Sequence, residues 1–169
     1  MTTAELIGGI LVRDLRAVQR ELAAYDREED LWTLTDTIPN SAGTLAAHLA
    51  GNLRHYVGAV LGGTQYVRNR DAEFGNRGMP RAALMDELEA AVADVGAVMS
   101  RLTETQLSAT FPQPVAGKHC STADMLIHLA THLTYHLGQI DYHRRLLGGN
   151  GTSIGAVSPA ELRSATATP

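Results

Sequence analysis

Only one cysteine occurs in the chain, Cys120, which excludes an intrachain disulfide and any cysteine-rich zinc finger. Aromatic residues are also scarce: two Phe, one Trp and five Tyr among 169 residues offer no stacking platform for nucleic-acid bases. Basic charge is in deficit. Fourteen Lys and Arg stand against 18 Asp and Glu, a formal net charge of −4, which argues against an electrostatic nucleic-acid binder. Thirteen of the fourteen are Arg, a bias that carries no functional signal by itself. No apolar run approaches the ~18 residues of a membrane span. The run over residues 6–12 is short and follows Glu5 rather than a basic segment, so it makes a poor signal peptide. A cytoplasmic protein with neither a membrane nor a nucleic-acid partner is the expectation, and the length suits one domain.

What the chain does have is helical period. Residues 3–28 carry Leu6, Ile10, Leu15, Val18, Leu22 and Tyr25 as one apolar stripe. Thr2 followed by Glu5 is a capping-box signature for its start. A second stripe over residues 41–62 uses Leu45, Leu49, Leu53 and Val60, between Pro39-Asn40-Ser41 and Gly62-Gly63. A third, over 80–103, starts at Pro80 in the first helical position and steps through Leu84, Leu88, Val92, Val95 and Met99. A fourth covers 122–147, from Ser121 to Gly148. Residues 110–115 are the best strand candidate, but Pro112 and Pro114 interrupt them. Four amphipathic helices bury their stripes best against one another, which predicts an all-α four-helix bundle. The connections 29–40, 64–79 and 104–120 are long for such a fold. Residues 1–148 are expected to form the single domain, with 149–169, poor in apolar residues, as a flexible C-terminal tail. Helical glycines such as Gly51, Gly58, Gly96 and Gly138 suggest close approach of a neighbour, or access for a ligand beside His136.

Chemistry concentrates on the fourth helix. His128, His132, His136 and His143 fall at steps of four, four and seven, so they share one face. Met125, Leu129, Leu133 and Ile140 flank that face, which marks it as the inward one. Imidazoles one turn apart can coordinate one divalent ion, as in helical zinc motifs. Residues eight apart are ~12 Å apart along the axis, so His128 and His136 cannot share an ion. The pair is His128 with His132, or His132 with His136. A third ligand must come from another helix. The second helix offers His48 and His55, seven apart with Asn52 between them. His48 lies among Leu45, Leu49 and small residues and is the better candidate; His55 follows Arg54 and reads as nearer the surface. Arg54, Arg68 or Arg70 could hold an anionic cofactor, although each also fits an ordinary surface arginine. No Ser-His-Asp set, phosphate-binding glycine loop or paired-carboxylate site is evident.

The fourth-helix pattern H-x-x-x-H-x-x-x-H-x-G-Q-I (His128, His132, His136, Gly138, Gln139, Ile140), with the second-helix stretch SAGTLAAHLAGNLRHYVGAVLGG, resembles the DinB/YfiT-like superfamily of small bacterial metalloproteins. The resemblance covers residues 3–148. It implies a four-helix bundle with a long crossover between helices 2 and 3, which suits the 64–79 connection. It also implies His48, His132 and His136 as metal ligands, with His128 left as a buried neighbour. Characterised relatives include thiol-dependent transferases and a mycothiol-dependent isomerase; others are described as metal-dependent hydrolases.

These readings predict a divalent transition-metal site, zinc or nickel first. The function expected first is a metal-dependent thiol (S-)transferase acting with a low-molecular-weight thiol on a small-molecule substrate. A hydrolase using metal-bound hydroxide and a non-catalytic metal or small-molecule binding protein are the alternatives. No catalytic acid or base is identifiable. Asn52, one turn after His48, and Gln139, three residues after His136, are expected to point toward the metal cavity and support its ligands. A homodimer is expected from apolar runs such as Ala90 to Val92 and Leu146-Leu147, in agreement with the resemblance.

Overall fold

Thr2 starts the first helix as its spacing predicts. In the computed structural model, which describes residues 1–148, 151–152, 154 and 157–167, its hydroxyl accepts from the Glu5 N–H and its own N–H donates to the Glu5 carboxylate. This helix, α1 (Thr3–Ala23), leads through a 3₁₀ turn (Glu28–Trp32) to α2 (Ala42–Leu53), capped by Ser41. From Arg54 to Leu61 the same rod continues with π-helical winding. The short α3 (Arg70–Gly75) lies inside the long connection that follows. α4 (Arg81–Met99), α5 (Glu104–Ser108) and the 27-residue α6 (Thr122–Gly148) complete the main elements. Pro80 occupies the N-cap of α4 rather than its first helical position, a shift of one residue.

Among the described residues there is no extended strand. Residues 110–115 form only isolated bridges, Thr110 with Ser121 and Val115 with Lys118. Those bridges tie the α5–α6 connection back on itself; the Phe111 N–H donates to the Cys120 carbonyl at 2.9 Å, and Phe111 is buried.

The four long helices pack pairwise: α1 against α4 and α6, and α2 against the same two. The shared interior is aliphatic, with Leu11, Leu15, Leu22, Leu49, Leu84, Leu88, Leu129 and Leu133 all buried. Each such side chain contributes about 1.5–3 kcal/mol by leaving water. Ala91 and Val92 belong to this interior, so the Ala90–Val92 run is not the outer apolar surface on which a homodimer was expected. Leu146 does remain exposed on α6.

Of the C-terminal segment, residues 149–150, 153, 155–156 and 168–169 lie outside the described residues. Its described part contacts α1 and α6. Arg163 reaches the Glu5 carboxylate at 3.5 Å, Glu161 pairs with Arg20 at 3.4 Å, and the Thr152 carbonyl accepts from Arg144 at 3.0 Å.

Candidate metal centre

Three histidines from two helices meet in the space between α2 and α6. One ring nitrogen from each of His48, His132 and His136 lies within 4.8 Å of the other two. The Nε2 atoms of His132 and His136 are 3.1 Å apart, and those of His48 and His132 are 3.4 Å apart. His48 is buried and the other two are partly buried. The four-residue step on α6 places His132 and His136 one turn apart on the side facing α2.

The opposite nitrogen of two of these rings is already engaged. His48 Nδ1–H donates to Glu73 Oε2 at 2.9 Å, because a carboxylate can only accept. His136 Nδ1 lies 2.6 Å from Gln139 Oε1 and donates to it in the same way. Fixing the proton on Nδ1 turns the Nε2 lone pair of each ring toward the common centre. With its proton on Nδ1, His132 turns a third lone pair toward the same point, the donor set a divalent ion requires. The arrangement therefore fits a divalent ion, and three imidazoles suit zinc, nickel, copper or ferrous iron.

The protonation balance agrees with that fit. Burial, then the neighbouring charges of His136, His48, His128 and Arg68, push His132 down to about 4. Burial also lowers His136, against the opposing hydrogen bond that it donates to Gln139. Neutral imidazole is the form that binds metal.

Glu73 was not legible as part of this site. It comes from α3, within the long 64–79 connection, yet it is only 6% exposed. Arg68 grips it with two bonds, Nε to Oε1 at 2.7 Å and a terminal nitrogen to Oε2 at 2.8 Å. Burial opposes the charge on Glu73, but the bonds from Arg68 and His48 hold its carboxyl below the ordinary range. Gly51 makes room for it: a Cβ there would collide with Glu73 Oε1. The only signal in the sequence was that helical glycine. Phe74 follows, its ring 4.9 Å from His48.

The other predicted residues divide. Asn52 is buried in α2 and makes no side-chain hydrogen bond among the described residues. Gln139 is exposed at its α6 position while holding His136. His128 is exposed, not buried, and stacks on the outer side of His132 with ring centroids 5.8 Å apart. His55 is half-buried and turns to Gln113 at 3.3 Å, because the π-helical winding begins just before it. His143 lies in the core, 2.7 Å from the Tyr25 hydroxyl and 2.9 Å from the Thr33 carbonyl. Arg54 and Arg68 are not open anion holders. Arg54 pairs with Glu87 at 2.5 Å and stacks on Tyr66, while Arg68 is committed to Glu73.

A search of curated proteins finds no match to the chain. A family model described as Mycothiol-S-transferase matches residues 7–149, which include every residue of this centre. With that match over most of its length, and within the DinB/YfiT-like superfamily, the chain belongs to the mycothiol S-transferase family.

Proposed function

We propose that the protein is a metal-dependent thiol S-transferase that joins a low-molecular-weight thiol, mycothiol in the first instance, to a small electrophile. The observation that carries this reading is the convergence of the His48, His132 and His136 Nε2 atoms in a chain of this family. A divalent ion held there, zinc or nickel, would supply the positive charge that favours thiolate over thiol at neutral pH.

The chain's own residues do the positioning. Glu73, itself held by Arg68, accepts from the His48 Nδ1–H, and Gln139 accepts from the His136 Nδ1–H. Such partners fix ring orientation and raise ligand basicity. Asn52, buried one turn after His48, is assigned a supporting role beside that ligand. Hydrolysis is less well supported. Among the described residues, the one carboxylate hydrogen-bonded to the trio is Glu73, on the far side of His48 and neutralised by Arg68, so it is badly placed to accept a proton from water at the centre. A purely metal-binding role lacks a specific observation in its favour.

The architecture is read as a four-helix bundle of α1, α2, α4 and α6, with the connection between α2 and α4 as its long crossover. Residues 1–148 are read as the single domain and 149–169 as an appended tail. A homodimer is proposed through the α1–α6 face, where Leu6 and Ile127 are exposed at 42% and 52%. The cytoplasm is the proposed site of action, since a low-molecular-weight thiol is kept reduced there.

The test is metal analysis of the purified protein, then turnover of an electrophile with and without mycothiol. Turnover that requires both metal and mycothiol supports the transferase. Ester or amide cleavage without thiol overturns it.

A further inference from the structure

Gly51 and Asn52 flank His48 on α2. At ~100° per residue, they lie ~60° to one side of it and ~40° to the other. Glu73 occupies the Gly51 side: a Cβ on Gly51 would collide with its Oε1, and its Oε2 accepts from the His48 Nδ1–H. Asn52 therefore lies on the opposite side, that of Nε2 and the centre. Its side chain also leans back toward the turn that carries His48, as side chains do along an α-helix, and α2 is α-helical through Leu53. The same face meets α6, since the His48 ring centroid lies 5.2 Å from that of His132.

Asn52 is only 8% exposed, and its amide makes no hydrogen bond among the described residues. It cannot hold His48, whose Nδ1–H is given to Glu73 and whose Nε2 faces the centre. Arg68 and Gln139, the other polar groups at the trio, are committed to Glu73 and to His136. The amide tip of Asn52 is not sealed in: the fully enclosed unpaired polar atoms among the described residues belong to Glu21, Thr35, Arg54 and Arg81. A buried amide without a partner weakens the fold, and a ligand that supplies the missing bonds reverses that loss on binding.

We infer that Asn52 selects the thiol, its amide pairing with an amide of the thiol next to the sulfur. The inference rests on the proposed function and adds the residue that sets which thiol is used. A neutral carboxamide offers a carbonyl acceptor and N–H donors, which the N–H and C=O of another amide match. The reach agrees. In an N-acylcysteine the amide nitrogen is three bonds from the sulfur. One hydrogen bond of ~2.9 Å beyond it spans the helical turn, ~5 Å, between the centre and Asn52. Mycothiol carries such groups, its cysteine being N-acetylated and amide-linked to an amino sugar. A simple alkanethiol has none, so Asn52 adds nothing to its binding.

The test is calorimetric titration of the metal-loaded full chain with N-acetylcysteine methylamide, mycothiol and propanethiol. Asn52→Leu and, separately, Asn52→Ala should weaken the first two at least tenfold and leave propanethiol within twofold, with bound metal unchanged by elemental analysis. Metal-free Asn52→Leu should melt at or above the wild-type temperature, because the change removes an unpaired buried polar group while nearly keeping its volume. An asparagine with a structural role would lower that temperature. Equal weakening of all three thiols, loss of metal, weakening by Asn52→Leu alone, or a lower melting temperature overturns the inference. Thiol binding that both variants leave unchanged also overturns it, and the transferase reading then stands. If no thiol binds the metal-loaded wild type, the transferase reading falls and this inference with it.

Discussion

His136 and His143 sit seven residues apart on α6, on nearly the same face, and do opposite things. His143 is buried with both nitrogens satisfied, one by the Tyr25 hydroxyl and one by the Thr33 carbonyl. It behaves as a polar pin in the core, beside the buried Glu21–Arg144 ion pair at 2.6 Å. His136 has only Nδ1 satisfied, by Gln139, and its Nε2 faces two more imidazoles. A histidine with both nitrogens in good hydrogen bonds has nothing left to offer a ligand. Three histidines whose free lone pairs converge have more acceptor capacity than the protein itself can use.

The largest expected effect separates these two regions outright. His48→Ala, His132→Ala and His136→Ala should each lose most of the bound metal, while His143→Ala should keep it, as read by elemental analysis. His143→Ala should instead destabilise the fold by about 1–3 kcal/mol, because the buried Tyr25 hydroxyl keeps only a long 3.5 Å bond to the Ile140 carbonyl and the Thr33 carbonyl loses its donor. Full metal in His136→Ala together with loss in His128→Ala would move the centre one turn toward the start of α6. A chelator should lower the melting temperature of the wild type and of His143→Ala, and barely move that of the three ligand variants.

In the structural region, Arg144→Ala should cost about 3–5 kcal/mol in denaturant titration, because it strands the Glu21 carboxylate in the interior. It should leave metal content untouched. Metal loss in this variant at temperatures where it stays folded would show that the two regions are coupled.

Within the metal region, Glu73→Gln should lower metal affinity by roughly 10–100-fold, the usual range for an outer partner of a ligating histidine. The expected readout is competition against a chromophoric chelator under conditions where the variant stays folded, because the change also breaks the buried pair with Arg68 and lowers stability. Unchanged affinity would reduce Glu73 to a fold-stabilising contact.

A smaller effect concerns pH in the metal-free protein. His132 is held at about 4, against an ordinary 6.5, chiefly by burial. The unfolded chain therefore binds its proton first as pH falls. The stability linked to this group is fully present above about 6.5 and is lost as pH drops toward about 4. His132→Gln should flatten that part of the stability profile, and a slope equal to that of the wild type would contradict the assignment. The smallest effect is expected at His128→Ala, within about 0.5 kcal/mol and with metal retained, because the ring is exposed.

Helices were legible where pattern and cap agreed. The stripes of α1 (apart from Leu6, which is exposed) and α6, the Thr2–Glu5 box and the Ser41 cap reappear in the structure. The end of α1 at Ala23 was missed by several residues, since Tyr25 continues the apolar stripe although the chain has already turned. The π-helical winding at Arg54–Leu61 left no trace in the apolar stripe of the second helix. His128 read as inward because its four-residue step matches that of the other two. Leu126 and Leu129 beside it are buried, so α6 is packed at that turn and His128 lies outside the packed face, which spacing along one helix cannot report.

Helical period alone determined the all-α character, the alignment of His132 and His136, and the choice of His48 over His55 as the outside candidate, because periodicity and local polarity are properties of a segment. Which of the aligned histidines face a common centre was decided by the antiparallel placement of α2 against α6. The tertiary structure also decided that a carboxylate 25 residues beyond His48 would hold it, through the docking of α3 over Gly51. Such a contact depends on how distant segments pack, and no local pattern encodes it.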